Sequence, residues 1–441
     1  MQSLLPSLLI VADFPGALTN LGGISLLERW RRMARQIGFR EAMILSNSVE
    51  SMAKHLARES WHGADVSLKF RERSGGEVTT GDIFDGLAGI AAQSATRVLV
   101  IFADLYCDPR LFRALADTEN NAILIDSDPP SIVAPFWEDS ESYSFGGFSG
   151  AALLSRKWFA GRNRDRSLVR ELASDFTAAR ITAVDAVRQP PYVPDMRRDV
   201  RPVFFPAPSP DRCALAEHVL RDATQKGVLD FPALVHAPIE KWIVSRLCRT
   251  SITPNHITLA TAFLGLCVTL LYTSGYLWAG AFFALAVGVF DGVDGKLARL
   301  KVQTTRIGKG EHALDYCIEM SWWAALGYHF HKTGQVRYAY TILLVLLACD
   351  LLDRLAKRSV ERRLARSLDD VARFDRLFRY IGGRRNIYTW LFTFCLCIGR
   401  PVTGFILICL WGIATAVIHL FRALQIRLSP NPAETGQLLR R

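Results

Sequence analysis

The chain has 441 residues, half of them hydrophobic, and a formal net charge of +11. A mean hydropathy of +0.15 is high for a wholly soluble protein and low for one embedded throughout in lipid. The composition therefore excludes both single-environment classes and implies a soluble part joined to a membrane part. The positive excess suits phosphorylated substrates, anionic lipid or nucleic acid, and only its distribution separates them.

From the N-terminus to about residue 235, short apolar runs alternate with amphipathic stretches. Strands are predicted over Ser7–Asp13, Ala42–Ser46, Arg97–Asp104, Ala122–Asp126 and Ile181–Val187, with helices such as Ile24–Gln36 and Ile83–Gln93 between them. That alternation specifies an α/β layered domain with a mostly parallel sheet. Leu4–Ala12 lacks a basic leader and runs into Asp13, so it reads as a buried strand rather than a secretory signal. Asp104 and Asp185 fall in strands whose ends are the usual place for ligands in such sheets. The nine cysteines show no metal-ligand spacing and several lie in apolar runs, which points to free thiols.

The pattern changes after Phe231. Ala237–Cys248 sets Trp242, Ile243 and Leu247 against Lys241 and Arg246, the pattern of a helix lying along a membrane surface. Residues 236–254 thus form a juxtamembrane helix and linker, ending at the break Thr253-Pro254-Asn255. Residues 255–428 contain six predicted spans: Ile257–Ser274, Ala279–Leu300, Glu311–Phe330, Arg337–Leu355, Asn386–Gly399 and Val402–Leu424. Most approach the roughly 20 residues that cross a bilayer, and the fifth is short. Lys296, Arg299, Lys301, Arg306 and Lys309 crowd the second connection, and arginines fill the fourth from Arg354 to Arg385. The opposite connections are poor in charge. This places both termini and the α/β domain in the cytoplasm of a cell (inner) membrane protein with no nucleic-acid partner, and makes the fourth connection a topogenic, basic, lipid-facing surface in preference to a specific substrate site. The tail 429–441 is polar and reads as flexible.

Carboxylates inside a membrane are costly unless paired or solvated. Nevertheless Asp291 and Asp294 end the second span, while Glu311, Asp315 and Glu319 begin the third as one helical stripe. Two such stripes joined by a short loop can face each other. Their hard oxygen donors suit Mg²⁺ or Mn²⁺, in a pair that would neutralise a diphosphate, with a spare carboxylate to deprotonate an attacking hydroxyl. Gly295 and Ala298 leave room for a nucleotide or another helix to come close, and Arg299 can bind phosphate or serve as a positive-inside anchor. Arg384, Arg385 and Asn386 open the fifth span, where they can hold an acceptor phosphate or serve as topogenic charge. Asp350 and Asp353 beside Arg354 read as an ion pair at the end of the fourth span.

The segment Asp291-x-x-Asp294-Gly295-x-x-Ala298-Arg299 resembles the first half of the CDP-alcohol phosphotransferase motif, and Thr253-Pro254-Asn255-His256-Ile257-Thr258 is similar to that family's entry to its first span. The second half, G-x-x-x-D-x-x-x-D, is altered. At the usual distance stand Gly308, His312 and Tyr316, whereas a three-residue shift gives Glu311, Asp315 and Glu319. In that register the resemblance implies Asp291, Asp294 and Asp315 as metal ligands and Glu319 as general base. Moving back one step instead makes Glu311 and Asp315 the two acids. The resemblance covers roughly Ile239 to Arg427 and implies six spans, a homodimer, a CDP-linked alcohol donor, an alcohol acceptor and release of CMP.

Residues 1–235 resemble a sugar-phosphate nucleotidyltransferase (Rossmann-like) domain. Gly22-Gly23-Ile24-Ser25-Leu26-Leu27-Glu28-Arg29 is similar to that family's G-x-P-L-L-x-R stretch, and Asp104 and Asp185 stand near its metal-binding aspartates. The expected Gly-rich loop and following lysine are replaced by Ile10-Val11-Ala12-Asp13-Phe14-Pro15-Gly16-Ala17-Leu18-Thr19-Asn20. Both changes remove groups that hold a triphosphate, so the domain reads as inactive. The layout is similar to bifunctional inositol-phosphate cytidylyltransferase / di-inositol-phosphate phosphate synthases. Two rival readings are a transporter using intramembrane acids and an inactive membrane scaffold for the α/β domain.

Overall fold

A computed structural model describes residues 5–13, 15–58, 66–90, 96–138, 148–303, 308–364 and 366–428, with the backbone alone for 308–313. The chain forms two compact units. Met1–Gln225, Cys248–Ser251 and Arg299–Thr304 make the first; Lys226–Leu247, Ile252–Ala298 and Thr305–Arg441 make the second.

The first unit is built on a seven-stranded sheet. Its strands are β1 (Ser7–Val11), β2 (Glu41–Ser46), β3 (Ser67–Glu72), β4 (Arg97–Phe102), β5 (Ala122–Ile125), β6 (Phe148–Ser155) and β7 (Thr182–Asp185), in the order β7-β5-β6-β4-β1-β2-β3. β1 runs parallel to both neighbours, with Leu9 opposite Met43 on one side and Val100 on the other. β6 alone is antiparallel to its neighbours. The central strands are continuous apolar runs because both faces are covered. Leu8, Ile10, Trp30 and Phe112 pack in one layer, and Leu9, Val11, Ile83 and Phe102 in the other. Every strand expected from sequence is present, and β3 and β6 are additional. The helix α1 (Leu26–Ile37) begins at Ser25, whose hydroxyl accepts from the Glu28 amide, and ends at Gly38 with φ 110°.

Two segments distant in sequence are built into this unit. Val302 joins the core beside Leu8 and Phe112. Buried Arg29 donates to the carbonyls of Leu21 at 2.8 Å and Leu300 at 2.9 Å, and Arg32 donates to that of Lys301 at 2.8 Å. Lys301 Nζ in turn reaches the Thr250 carbonyl at 2.8 Å. Gly23 has φ +88°, and a Cβ there would lie 1.6 Å from the Cys248 carbonyl oxygen. Only glycine permits that approach.

The second unit is helical. It comprises α2 (Phe231–Leu247), α3 (Pro254–Thr273), α4 (Leu277–Leu300, whose last two residues count with the first unit), α5 (Gly308–Lys332), α6 (Ala339–Leu364), α7 (Arg385–Cys397) and α8 (Pro401–Leu428). A helix stands at each of the six expected spans. Three of them, α3, α4 and α8, are long and apolar enough to cross a membrane; α5 and α6 carry more charge, and α7 has 13 residues. Pro254 and Pro401 start their helices at the position where proline's missing N–H costs nothing. Trp322, Trp323, Phe330, Phe392 and Phe405 form the core. Leu259, Phe263, Leu270, Phe282, Leu344 and Phe421 face outward, the inverted surface expected of helices in lipid.

The juxtamembrane helix α2 starts earlier than expected and has two distinct faces. Phe231, Leu234, Val235, Ile239 and Trp242 are exposed, whereas Pro232, His236, Glu240 and Val244 are buried at four-residue intervals. The outer face thus sets apolar side chains beside Lys241 and Arg246, and the inner face mixes His236 and Glu240 with Pro232 and Val244, a composition that suits a helix resting on a membrane surface. All nine cysteines are free thiols. The tail 429–441 lies outside the described residues.

Candidate active site

Within the second unit, the end of α4 and the start of α5 carry the acidic side chains expected at the site. Asp291 accepts a hydrogen bond from Arg385 Nη2 at 2.8 Å. Asp294, nearly buried, accepts one from the Thr258 hydroxyl at 3.0 Å. Thr258 closes the Thr-Pro-Asn-His-Ile-Thr segment, so the start of α3 is tied to the motif on α4. Asp315 and Glu319 lie one turn apart on α5, and Glu319 is nearly buried. The charges of Asp291, Glu319 and Asp315 all act on Arg385. One guanidinium thus faces carboxylates from two helices.

A second arginine stands on the other side of Glu319. Arg354 approaches it at 3.7 Å, pairs with Asp350 at 2.8 Å and lies over the Tyr316 ring at 4.2 Å. Asp350 is therefore the partner expected for Arg354. Asp353 is not; it binds His419 and pairs with Lys357 at 2.9 Å. Arg384 binds Asp369, a residue 3.9 Å from Lys357. Arg379 pairs with Asp370 at 2.6 Å and Arg422 with Asp375 at 2.7 Å. The basic fourth connection is thus partly knitted into the helices through ion pairs, while Arg358, Arg362, Arg366 and Arg373 remain exposed.

Among the other residues expected at the site, Gly295 and Ala298 are partly exposed on α4. Arg299 belongs to the first unit, where its Nε donates to the Thr224 carbonyl at 2.9 Å. The Glu311 side chain lies outside the described residues. Among the described residues, no three His, Cys, Asp or Glu side chains are close enough together to hold a metal ion. The donor chemistry nonetheless fits a hard divalent cation. Asp291, Asp294 and Asp315 offer only carboxylate oxygen, and Asp291 already pairs with a cation, Arg385, at 2.8 Å.

The strand ends of the first unit carry a different arrangement. Asp13, at the end of β1, pairs with Arg73 at 2.7 Å and accepts from the Asn47 amide at 3.2 Å. The next turn comes so close to Asp104 that a Cβ on Gly16 would sit 2.9 Å from the Asp104 Cβ. Asp126 pairs with Arg201 at 2.8 Å, and burial raises its pKa above the ordinary value. Burial acts in the same direction on Asp185, yet hydrogen bonds from the Ser127 hydroxyl and amide hold its carboxyl below the ordinary value.

These features define a helical unit with an acidic, arginine-countered centre, attached to an α/β unit. Residues 251–418 match the CDP-alcohol phosphatidyltransferase family. The chain carries a domain of that family, and the family is one of transferases of phosphate-containing groups. No curated protein matches the chain. Solved structures similar to its first half include HddC from Yersinia pseudotuberculosis, at 14% identity, covering 48% of this chain and 98% of that one, with a TM-score of 0.34. The inositol-1-phosphate CTP transferase from T. maritima is 11% identical, with 50% and 98% covered and a TM-score of 0.36. UDP-glucose pyrophosphorylase complexed with UDP-glucose is 13% identical, with 50% and 99% covered and a TM-score of 0.35. A CDP-alcohol phosphatidyltransferase domain in the second half is what the sequence resemblance implied.

Proposed function

We propose that the protein is an integral membrane CDP-alcohol phosphotransferase that joins a CDP-linked alcohol to a second alcohol as a phosphodiester. The observation that carries this reading is the match of residues 251–418 to this family, with Asp291, paired with Arg385, and Asp294 at the end of α4. Mg²⁺ or Mn²⁺, in a pair, would be held by Asp291, Asp294 and Asp315, with Glu311 as the alternative ligand; when bound it supplies charge to neutralise the diphosphate. Gly295 and Ala298 leave space for the nucleotide on α4. Glu319 accepts the proton of the attacking hydroxyl. That oxygen forms a bond to the phosphorus bearing the donor alcohol, the bond from that phosphorus to the bridging oxygen breaks, and the bridging oxygen leaves as part of CMP. Arg384, Arg385 and Arg299 are the candidates for binding phosphate groups of the two substrates, which suits a sugar- or polyol-phosphate acceptor.

Glu319 is a reasonable base because it is nearly buried and lies between two guanidiniums rather than in bulk water. The first unit makes no donor in this reading, because its sequence lacks the Gly-rich loop and following lysine that hold a triphosphate. The donor is then supplied by another enzyme, and a lipid-linked donor is compatible with a site at a membrane. The protein resides in the cell membrane with the α/β unit in the cytoplasm, as a homodimer.

The test incubates purified protein with Mn²⁺ or Mg²⁺, a panel of CDP-alcohols and single acceptors, and follows CMP. Release that requires both an acceptor and the metal is expected. Folded protein that releases no CMP from any pair would refute the proposal.

A further inference from the structure

The motif helix α4 carries a second stripe beside its aspartates: Gly288, Gly292 and Lys296, four residues apart and so on one side of the helix. The buried stripe of α2 meets it. A Cβ on Gly288 would lie 2.9 Å from the His236 ring, and one on Gly292 only 2.3 Å from the Glu240 carboxyl carbon. Small residues here let a polar helix approach a backbone that larger ones would hold off. Glu240 uses that approach to reach Lys296 Nζ at 2.5 Å, with both side chains almost fully buried. The rest of α2 is anchored to α7: Trp390 Nε1 donates to His236 Nε2 at 3.2 Å and Asn386 donates to Asp230 at 3.3 Å.

Lys296 lies two residues beyond Asp294, inside the motif. Its ammonium opposes a divalent cation held by the aspartates, and in a buried setting that opposition is poorly screened. From this we infer that Glu240 is a positioning residue for the metal site. It neutralises Lys296 and holds it on the α2 side of α4, leaving the Asp291–Asp294 side to the metal. The inference rests on the proposed function for the metal's role, but its geometry does not depend on the substrate. It also gives Gly292 a purpose, because any side chain there would displace the Glu240 carboxylate.

The experiment measures Mn²⁺ binding to the full-length protein in detergent, by the loss of the free-ion electron paramagnetic resonance signal, alongside CMP release. Glu240→Gln leaves the ammonium without its countercharge and should weaken Mn²⁺ binding by about tenfold. Lys296→Met removes the opposing charge and should bind Mn²⁺ at least as tightly as wild type. The double variant should recover most of what Glu240→Gln loses. A purely architectural pair would make both single variants worse and give no recovery. Equal Mn²⁺ affinity in Glu240→Gln and wild type would overturn the inference, as would weaker binding in Lys296→Met, which applies even if Glu240→Gln fails to fold. Wild type that binds Mn²⁺ but releases no CMP would count against the proposed reaction and leave this inference standing; wild type that binds no Mn²⁺ would remove both.

Discussion

Replacing Arg385 with glutamine removes the cation shared by the carboxylates of α4 and α5. Its Nη2 lies 2.8 Å from Asp291, with side-chain exposures of 16% and 40%. Breaking a fully buried pair costs about 3–5 kcal/mol because the remaining charge is left uncompensated. The exposure of Asp291 to solvent reduces that cost, so about 1–2 kcal/mol is expected for the metal-free protein. For a unit of this size that is a fall of about 2–8 °C in the unfolding midpoint. Divalent cation should reverse it, since the same carboxylates are the proposed metal ligands. The assay is thermal unfolding of detergent-solubilised wild type and Arg385→Gln, with and without Mn²⁺. The variant should be less stable without metal and gain more from it than wild type does. Equal gains in the two proteins would refute the assignment of these carboxylates to a common metal site.

Further outcomes follow from individual contacts. If the three-residue shift in the acidic motif is right, Glu319→Gln abolishes CMP release and Glu311→Gln retains much of it; the opposite pattern in steady-state assays would select the alternative register. Gly23→Ala should destabilise the first unit by about 3 kcal/mol, because the added Cβ meets the Cys248 carbonyl at 1.6 Å on a backbone with φ +88°; an unchanged denaturation midpoint would contradict this. Ser127→Ala should cost about 1 kcal/mol at pH 7 by removing a bond to the Asp185 carboxylate. Because the folded-state pKa of Asp185 is depressed, that stability is present above the ordinary carboxylate value of 3.8 and fades as pH falls below it. A stability difference that stays constant from pH 7 to pH 3 would count against it.

The sequence made the sheet's apolar strands legible because β1, β4 and β5 are unbroken apolar runs covered on both faces. β3 was missed because Ser67–Glu72 is a polar edge strand with little burial. β6 was missed because Phe148–Ser155 is rich in small residues and runs against the parallel pattern. For the proposed site, helical spacing singled out Asp291 and Asp294, which lie on α4, and Asp315 and Glu319, which lie on α5. Their partners were not, since Thr258, Arg354 and Glu240 arrive from helices whose packing no local pattern specifies. Arg384 and Arg385 were equally consistent with topogenic charge and with a site; their bonds to Asp369 and Asp291 draw them into the helices. Arg299 fitted a phosphate role in sequence, while its Nε bond to Thr224 involves a segment 75 positions away.

The central claim is that the acidic end of α4 performs transfer from a CDP-linked alcohol. Its most direct test compares metal-dependent CMP release by wild type and by Asp294→Ala, with folding of both confirmed. The account predicts release by wild type on adding an acceptor and loss of that release in Asp294→Ala. Release at an undiminished rate from the variant would contradict it.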